Sequence, residues 1–282
     1  MTTATEYDTN WLQYTRPQPM YDKTINRLLK EVYHNSPAEN HNLVNDFKTI
    51  FINKMNNFKI NQFTGLDEFK FHDVIIGCTQ YIDDLYIRLN SNLMVLENDY
   101  KYHERLNTAI QYYNVDTLDS SKELLIAMPF PYYGDIHPDM SLILDRCLEL
   151  NIPVHIDGAW ITCSKDIVFD FSHPAIQTIG ISLSKGLGLG GNRIGLRYSR
   201  IRPTGSVTIM NDFNMNCQGL VHTGLHFLNK LPLDYFWIKY EEAYNKICND
   251  FNLKPTKSIH LATTTEGRPV GIRPLLRYLS DK

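Results

Sequence analysis

The sequence predicts an α/β fold: a mostly parallel sheet with helices on both faces, followed by a smaller C-terminal part. Three observations predict it. Short apolar runs that read as buried strands alternate with segments of helical spacing. Strand ends run into turns of small residues, as at Gly77-Cys78-Thr79. After about residue 200 the alternation gives way to two helical stretches and short terminal strands.

The elements follow in order. Residues 1 to about 20 read as an extended arm. Ile25, Leu28, Leu29 and Val32 have helical spacing, so a helix is expected from Tyr21 to about Tyr33. A polar stretch from His34 to His41 separates it from a second helix, Leu43 to about Phe58. Val74 to Gly77 reads as a short buried strand that turns through Cys78, Thr79 and Gln80 into a helix from Tyr81 to about Leu89. Leu93 to Glu97 and Glu123 to Met128 are the next strands. Met140 to Leu150 is an amphipathic helix. Pro153 to Ile156 is a strand that delivers Asp157, and Ala175 to Ser182 is another. Asn192 to Tyr198 continues as a hairpin-like partner. Leu220 to Leu228 and Pro232 to about Phe251 read as helices. Lys257 to Ala262 and Pro269 to Leu279 read as terminal strands. Three parts are expected: an N-terminal arm and helix (1–40), a large domain (41–230) and a reduced small domain (231–282).

With 282 residues the chain can build a large core, and 43% hydrophobic with 21% charged residues is ordinary for a globular protein. A formal net charge of −3 gives no reason to expect nucleic acid or an anionic membrane as partner. The five cysteines are scattered, odd in number and without metal-ligand spacing. They read as reduced thiols of a cytoplasmic protein, and no metal site is expected. The start is polar, without the pattern of a secretory leader, and no apolar run is long enough to span a bilayer.

The chemistry concentrates in Ser182-Leu-Ser184-Lys185-Gly-Leu-Gly-Leu-Gly-Gly-Asn-Arg193 and, upstream, in Asp157-Gly-Ala-Trp160. A lysine, an acid and a basic glycine-rich loop are the parts a protein needs to hold pyridoxal phosphate. The amine condenses with the aldehyde as a Schiff base, and the acid keeps the pyridine nitrogen protonated, which turns the ring into an electron sink. Glycines let the backbone approach a phosphate, and an arginine grips two of its oxygens. Asp157 taken alone would serve equally as a helix cap.

The two motifs resemble those of the fold-type-I pyridoxal-phosphate enzymes, the aspartate aminotransferase superfamily. The family pattern Ser-x-Ser/Ala-Lys-x-x-Gly-x-x-Gly-x-Arg-x-Gly is met at Ser182, Ser184, Lys185, Gly188, Gly191, Arg193 and Gly195. Its aspartate, with an aromatic three residues on, is met at Asp157 and Trp160. The resemblance implies that Cys78, Thr79 and Gln80 form the first phosphate turn, with Cys78 at a position that is usually glycine, Thr79 offering its hydroxyl and Gln80 its backbone N–H. It implies a ring stacked on the cofactor at Tyr100, with Tyr102 as the near alternative. Two usual partners of the cofactor's ring hydroxyl are altered. Pro131 stands where the family has asparagine, and Trp160 where it has tyrosine. Tyr132 or Tyr133 is a candidate replacement. The substrate carboxylate would meet Arg273 or, second, Arg268.

A homodimer is implied as well, with the site at the subunit interface near Asn61 to Phe69. The chain is shorter than a usual member. The simplest activity implied is an aminotransferase acting on an amino acid or amine, with Lys185 moving the α-proton. The same parts serve lyases, decarboxylases and carbon–carbon bond-forming enzymes. A chain that keeps the fold as a non-catalytic scaffold is the remaining alternative.

Overall fold

A computed structural model describes residue 12 and residues 20–34 and 42–280. Most of the expected N-terminal arm (1–20) and of the polar stretch after the first helix (34–41) lies outside the described residues. The described residues open with α1 (Lys23–His34) and α2 (Leu43–Asn56), close to the expected bounds. There follow β1 (Gln62–Thr64), β2 (Phe71–Ile75), α3 (Gly77–Arg88), β3 (Leu93–Leu96), α4 (His103–Leu106) and β4 (Tyr112–Tyr113). Next come β5 (Glu123–Ala127), α5 (Met140–Glu149), β6 (Val154–Gly158), β7 (Val168–Asp170), β8 (Ile176–Ser182), α6 (Leu183–Gly186) and β9 (Gly195–Ser199). The C-terminal third holds α7 (Ser206–Asp212), α8 (Gln218–Lys230), α9 (Tyr235–Asp250), β10 (Lys254–Pro255), β11 (Leu261–Thr263), β12 (Pro269–Gly271) and α10 (Arg273–Ser280).

Seven strands form one sheet in the order β2-β9-β8-β6-β5-β3-β4. The pairs from β8 through β4 are parallel, and β9 alone runs against both of its neighbours. The hairpin-like strand expected after the lysine is therefore this antiparallel β9. Strand alternation sends side chains to two apolar layers. On β5, Leu124 and Ile126 join the larger core, while Leu125 packs in the smaller one with Tyr81, Ile82 and Leu85 of α3. Burial on both faces explains why these strands read as unbroken apolar runs. The parallel arrangement brings the ends of β5, β6 and β8 to one edge of the sheet. Ala127 there pairs with Asp157, and Asp157 with Gly180. A ligand binds at such an edge in open α/β sheets.

Three local expectations are corrected. First, α3 starts at Gly77 rather than Tyr81, so Cys78, Thr79 and Gln80 are its first turn. Gly77 takes φ +69°, which lets the chain bend sharply from β2 into the helix. Second, Lys185 lies not in open loop but in the single helical turn α6, capped by the Ser182 hydroxyl, which accepts the Ser184 N–H. Third, the last strand ends at Gly271, and residues from Arg273 onward form α10. Ile272, Leu275, Leu276 and Leu279 have helical spacing, and the first three are fully buried. Lys257 to His260 is irregular, and β11 begins only at Leu261.

The N-terminal region is fastened to the C-terminal helices by one buried acid. Asp22 caps α1 through the Ile25 N–H at 2.8 Å and accepts from Tyr235, Tyr240 and Lys239 of α9. Beside it, the Tyr21 hydroxyl accepts the Gly191 N–H of the lysine–arginine loop. Burial alone raises the Asp22 pKa, but Lys239, Tyr240, Ile25 and Tyr235 outweigh it and hold the carboxyl below the usual range. A depressed folded pKa contributes stability above the unfolded value of about 3.9 and loses it as pH falls through the folded one. Asp22→Asn is therefore expected to cost about 2–3 kcal/mol at pH 7 and to shrink the stability difference between pH 7 and pH 3, both read by urea denaturation.

Candidate active site

At the C-terminal edge of the sheet lies a cavity of about 410 Å³. Most of the sequence-predicted residues converge on it: Asp157 and Trp160 after β6, Ser182, Ser184 and Lys185 after β8, Arg193 before β9, Cys78 and Thr79 on α3, and Tyr100 after β3. Gln80 does not reach the cavity. Its side chain turns back to accept the Ile76 N–H at 2.7 Å. Of the two tyrosines after β3, Tyr100 lines the cavity, while Tyr102 stacks on it and donates to Asp83 of α3. Arg268, on the turn into β12, lines the cavity, and Arg273 does not. The reason is the helix missed in the sequence, because Arg273 is the first residue of α10.

Asp157 is buried, and its Oδ1 accepts the Ala159 N–H at 3.0 Å. Burial raises its pKa, against the pull of Lys185, the Cys78 thiol and that N–H. Lys185 is partly open to the cavity, and its Nζ lies 5.8 Å from the centre of the Trp160 ring, within cation–π range. Burial in the cavity wall lowers its pKa. Cys163 and Cys78 lie near the amine, but burial pushes Cys163 up to about 12 and Cys78 well above its usual value. Both are neutral thiols at pH 7, so Asp157 is the acid that faces the lysine, and burial disfavours the charged form of each. Burial thus makes the amine easier to deprotonate than a surface lysine, and Asp157 pulls the other way.

The lysine's place is set by close packing behind it. A Cβ added to Gly186 would lie 2.2 Å from Thr162 Oγ1, so only glycine lets α6 sit on the turn that follows Trp160. Thr162 donates to the Ser182 carbonyl at 3.0 Å. On the other side, His260 Nε2 lies 3.2 Å from the Lys185 carbonyl. Burial pushes the His260 pKa down to about 4, so the ring is neutral and presents Nε2–H to that oxygen. No motif marks His260, which comes 75 residues after the lysine.

An anion cradle stands at the start of α3. A Cβ on Gly77 would lie 3.2 Å from Ser182 Oγ, 3.4 Å from Ser184 Oγ and 3.7 Å from Arg193 Cβ. The missing side chain thus leaves room beside two hydroxyls, the base of the Arg193 side chain and the N–H groups of a helix's first turn, which have no partners within the helix. A phosphate monoester fits this donor set by charge and hydrogen-bond chemistry. At the opposite wall, Pro131 lines the cavity without a donor, Tyr132 lines it with a hydroxyl, and Tyr133 is exposed outside it. The sequence also missed Asp99, a second buried acid in the cavity wall.

No family model matches the sequence, and no curated protein matches it. Solved structures do match in shape. An aspartate aminotransferase tetra mutant from Thermus thermophilus is 11% identical with a TM-score of 0.68, covering 96% of this chain and 95% of that one. A PLP-bound C-S lyase from Staphylococcus hominis is 11% identical at 0.64, covering 88% and 74%. An alanine aminotransferase from Pyrococcus furiosus is 12% identical at 0.63, covering 87% and 72%. The chain has the fold-type-I pyridoxal-phosphate enzyme fold. Among the described residues no helix is long and apolar enough to cross a membrane, and no cluster of metal ligands occurs.

Proposed function

We propose that the chain binds pyridoxal 5′-phosphate and acts on an amino acid or amine as an aminotransferase. One observation carries the reading: Lys185 and Asp157 face one cavity whose end is the anion cradle of Gly77, Ser182, Ser184 and Arg193. When bound, the cofactor supplies an electron sink for the substrate's α-carbon. The chain's own residues do the rest. Arg193, the serine hydroxyls and the first turn of α3 hold the phosphate, and Tyr100 packs beside the ring. Asp157 holds the ring nitrogen's proton. Lys185 would hold the cofactor's aldehyde carbon, and its amine, once free, would move the α-proton. A pure scaffold has no use for a lysine and an acid both held in a cavity wall against their desolvation cost.

The altered ring-hydroxyl positions, Pro131 and Trp160, favour a lyase or decarboxylase as the second reading. Tyr132 is the group left to meet that hydroxyl. The domain division at residue 231 and the homodimer belong to the same proposal. The exposed apolar side chains of Ile209, Phe213 and Met215 at α7 support self-association close to α3. The five free cysteines, four of them buried, support a reducing compartment.

The test is reconstitution with pyridoxal phosphate, followed by an amino-acid panel. A visible absorption band that borohydride fixes to the peptide containing Lys185 supports the reading. A band that each amino acid leaves unchanged supports a binder without catalysis, and absence of any band refutes cofactor binding. Recovery of the amine form of the cofactor marks transamination, whereas released carbon dioxide or a leaving group marks a lyase. Arg268, the arginine at the cavity mouth, is assigned the substrate carboxylate. Arg268→Lys should raise KM about tenfold or more with kcat little changed, because a point charge replaces a bidentate fork, and Arg273→Lys should not.

A further inference from the structure

Asp99 is the acid of the cavity that the proposed chemistry leaves unused. It follows β3 and is 7% exposed. Its Oδ1 accepts the Tyr100 N–H at 2.6 Å, and its Oδ2 accepts the Ala127 N–H at 3.0 Å. Ala127 ends β5 and is the register neighbour of Asp157. One carboxyl therefore ties the loop that presents Tyr100 to the strand end beside the other acid. Both acids line one cavity, and Asp157 disfavours ionisation of Asp99.

We propose that Asp99 is a positioning residue of the ring pocket: it fixes Tyr100 through two main-chain hydrogen bonds and releases its proton to solvent when a cationic ring enters the cavity. The inference rests on the reading that the cavity takes pyridoxal phosphate. Burial, eased by the Ala127 and Tyr100 N–H groups and reinforced by Asp157, pushes the Asp99 pKa up to about 7. The other titratable groups near it are Tyr86 of α3 and Tyr112 of β4, both pushed up to about 12 and neutral. His103 of α4 packs against Tyr100 and is pushed down to about 4, so it too stays neutral above pH 5. A bound cation lowers the Asp99 pKa, so binding expels a proton and tightens as pH rises toward 7.

Two measurements compare wild type with Asp99→Asn, which keeps the volume and removes the charge. In the first, cofactor-free protein is unfolded with urea from pH 5 to pH 8. A carboxyl with a raised folded pKa contributes stability below its unfolded value and loses it as pH rises through the folded one. Wild type should therefore lose stability relative to the variant as pH rises to about 7, then run parallel. In the second, pyridoxal phosphate affinity is measured by absorbance at pH 5.5 and 7.5. Wild type should gain about tenfold over that interval relative to the variant, the effect of a one-unit fall in pKa. Parallel pH profiles in both measurements overturn the proposal. If wild type takes up no cofactor, the functional reading fails by itself, and the first measurement alone supports or overturns the assignment of Asp99.

Discussion

Replacing Lys185 with alanine is expected to reduce turnover by about a thousandfold or more while leaving the protein folded. Two roles are lost together, the covalent hold on the cofactor and the group that moves the α-proton, and a positioned general base alone contributes about 10²–10⁴. The stability expectation follows from the same geometry. The amine sits in a wall where burial already disfavours its charge, so removing it relieves a desolvation cost. Urea midpoints at pH 7 should be unchanged or slightly higher. Lys185→Arg should not restore activity, because a guanidinium stays protonated and cannot act as nucleophile or base. The lowered amine pKa also sets the pH profile. The neutral form is the active one and its share grows with pH, so wild-type rates should rise with pH, at lower pH than the amine of a surface lysine would allow. Steady-state kinetics of the two variants, with the borohydride-fixed mass on wild type as control, decide the point.

The parts legible in the sequence are those written locally. Lys185, Asp157, Ser182, Ser184 and Arg193 come in two short stretches, and the fold brings both to one edge of the sheet because each ends a buried strand. What stayed hidden is set by contacts between distant segments. Asp99 reads as one more polar residue in Asn98-Asp99-Tyr100 until the fold buries it against Ala127, 28 positions on. His260 meets Lys185 only because β11 and β12 close the cavity from the C-terminal side. The misplacement of Arg273 has a different origin. The helical spacing of Ile272, Leu275, Leu276 and Leu279 is present in the segment expected as a terminal strand. Pro274 is tolerated because it stands in the first turn of α10, where its missing N–H would have had no partner. For Gln80 the resemblance called on the backbone N–H, which the helix start at Gly77 places in the first turn of α3, while the side chain turns back to Ile76.

The largest stability effect is expected at Arg197, which no motif marks. It lies at the centre of β9 and is completely buried. Its Nη2 donates to Asp73 Oδ2 at 2.7 Å and to Thr208 Oγ1 at 2.8 Å, and its Nη1 donates to Asp84 Oδ2 at 2.9 Å. Asp73 is its register partner on β2, Asp84 is on α3 and Thr208 is on α7. One guanidinium thus joins two strands and two helices, beneath the helix whose first turn forms the anion cradle. Arg197→Met would leave Asp73 with only the looser ion pair to Arg202, at 3.8 Å, and Asp84 with only Arg88. Breaking a buried ion pair from one side costs about 3–5 kcal/mol, because the remaining charge is stranded in low dielectric. That loss should appear as a fall in melting temperature on the order of 10 °C for a chain of this size. Arg197→Lys should recover only part of it, since one ammonium cannot span all three acceptors. The decisive comparison is Arg197→Met combined with Asp73→Leu and Asp84→Leu. If stranded charge is the cause, the triple variant regains most of the stability lost by the single one. Its pyridoxal phosphate affinity should still be reduced, because α3 is then held to the sheet by apolar packing rather than by directed hydrogen bonds. A triple variant less stable than Arg197→Met would show instead that volume and shape at this junction, not charge, hold α3 in place.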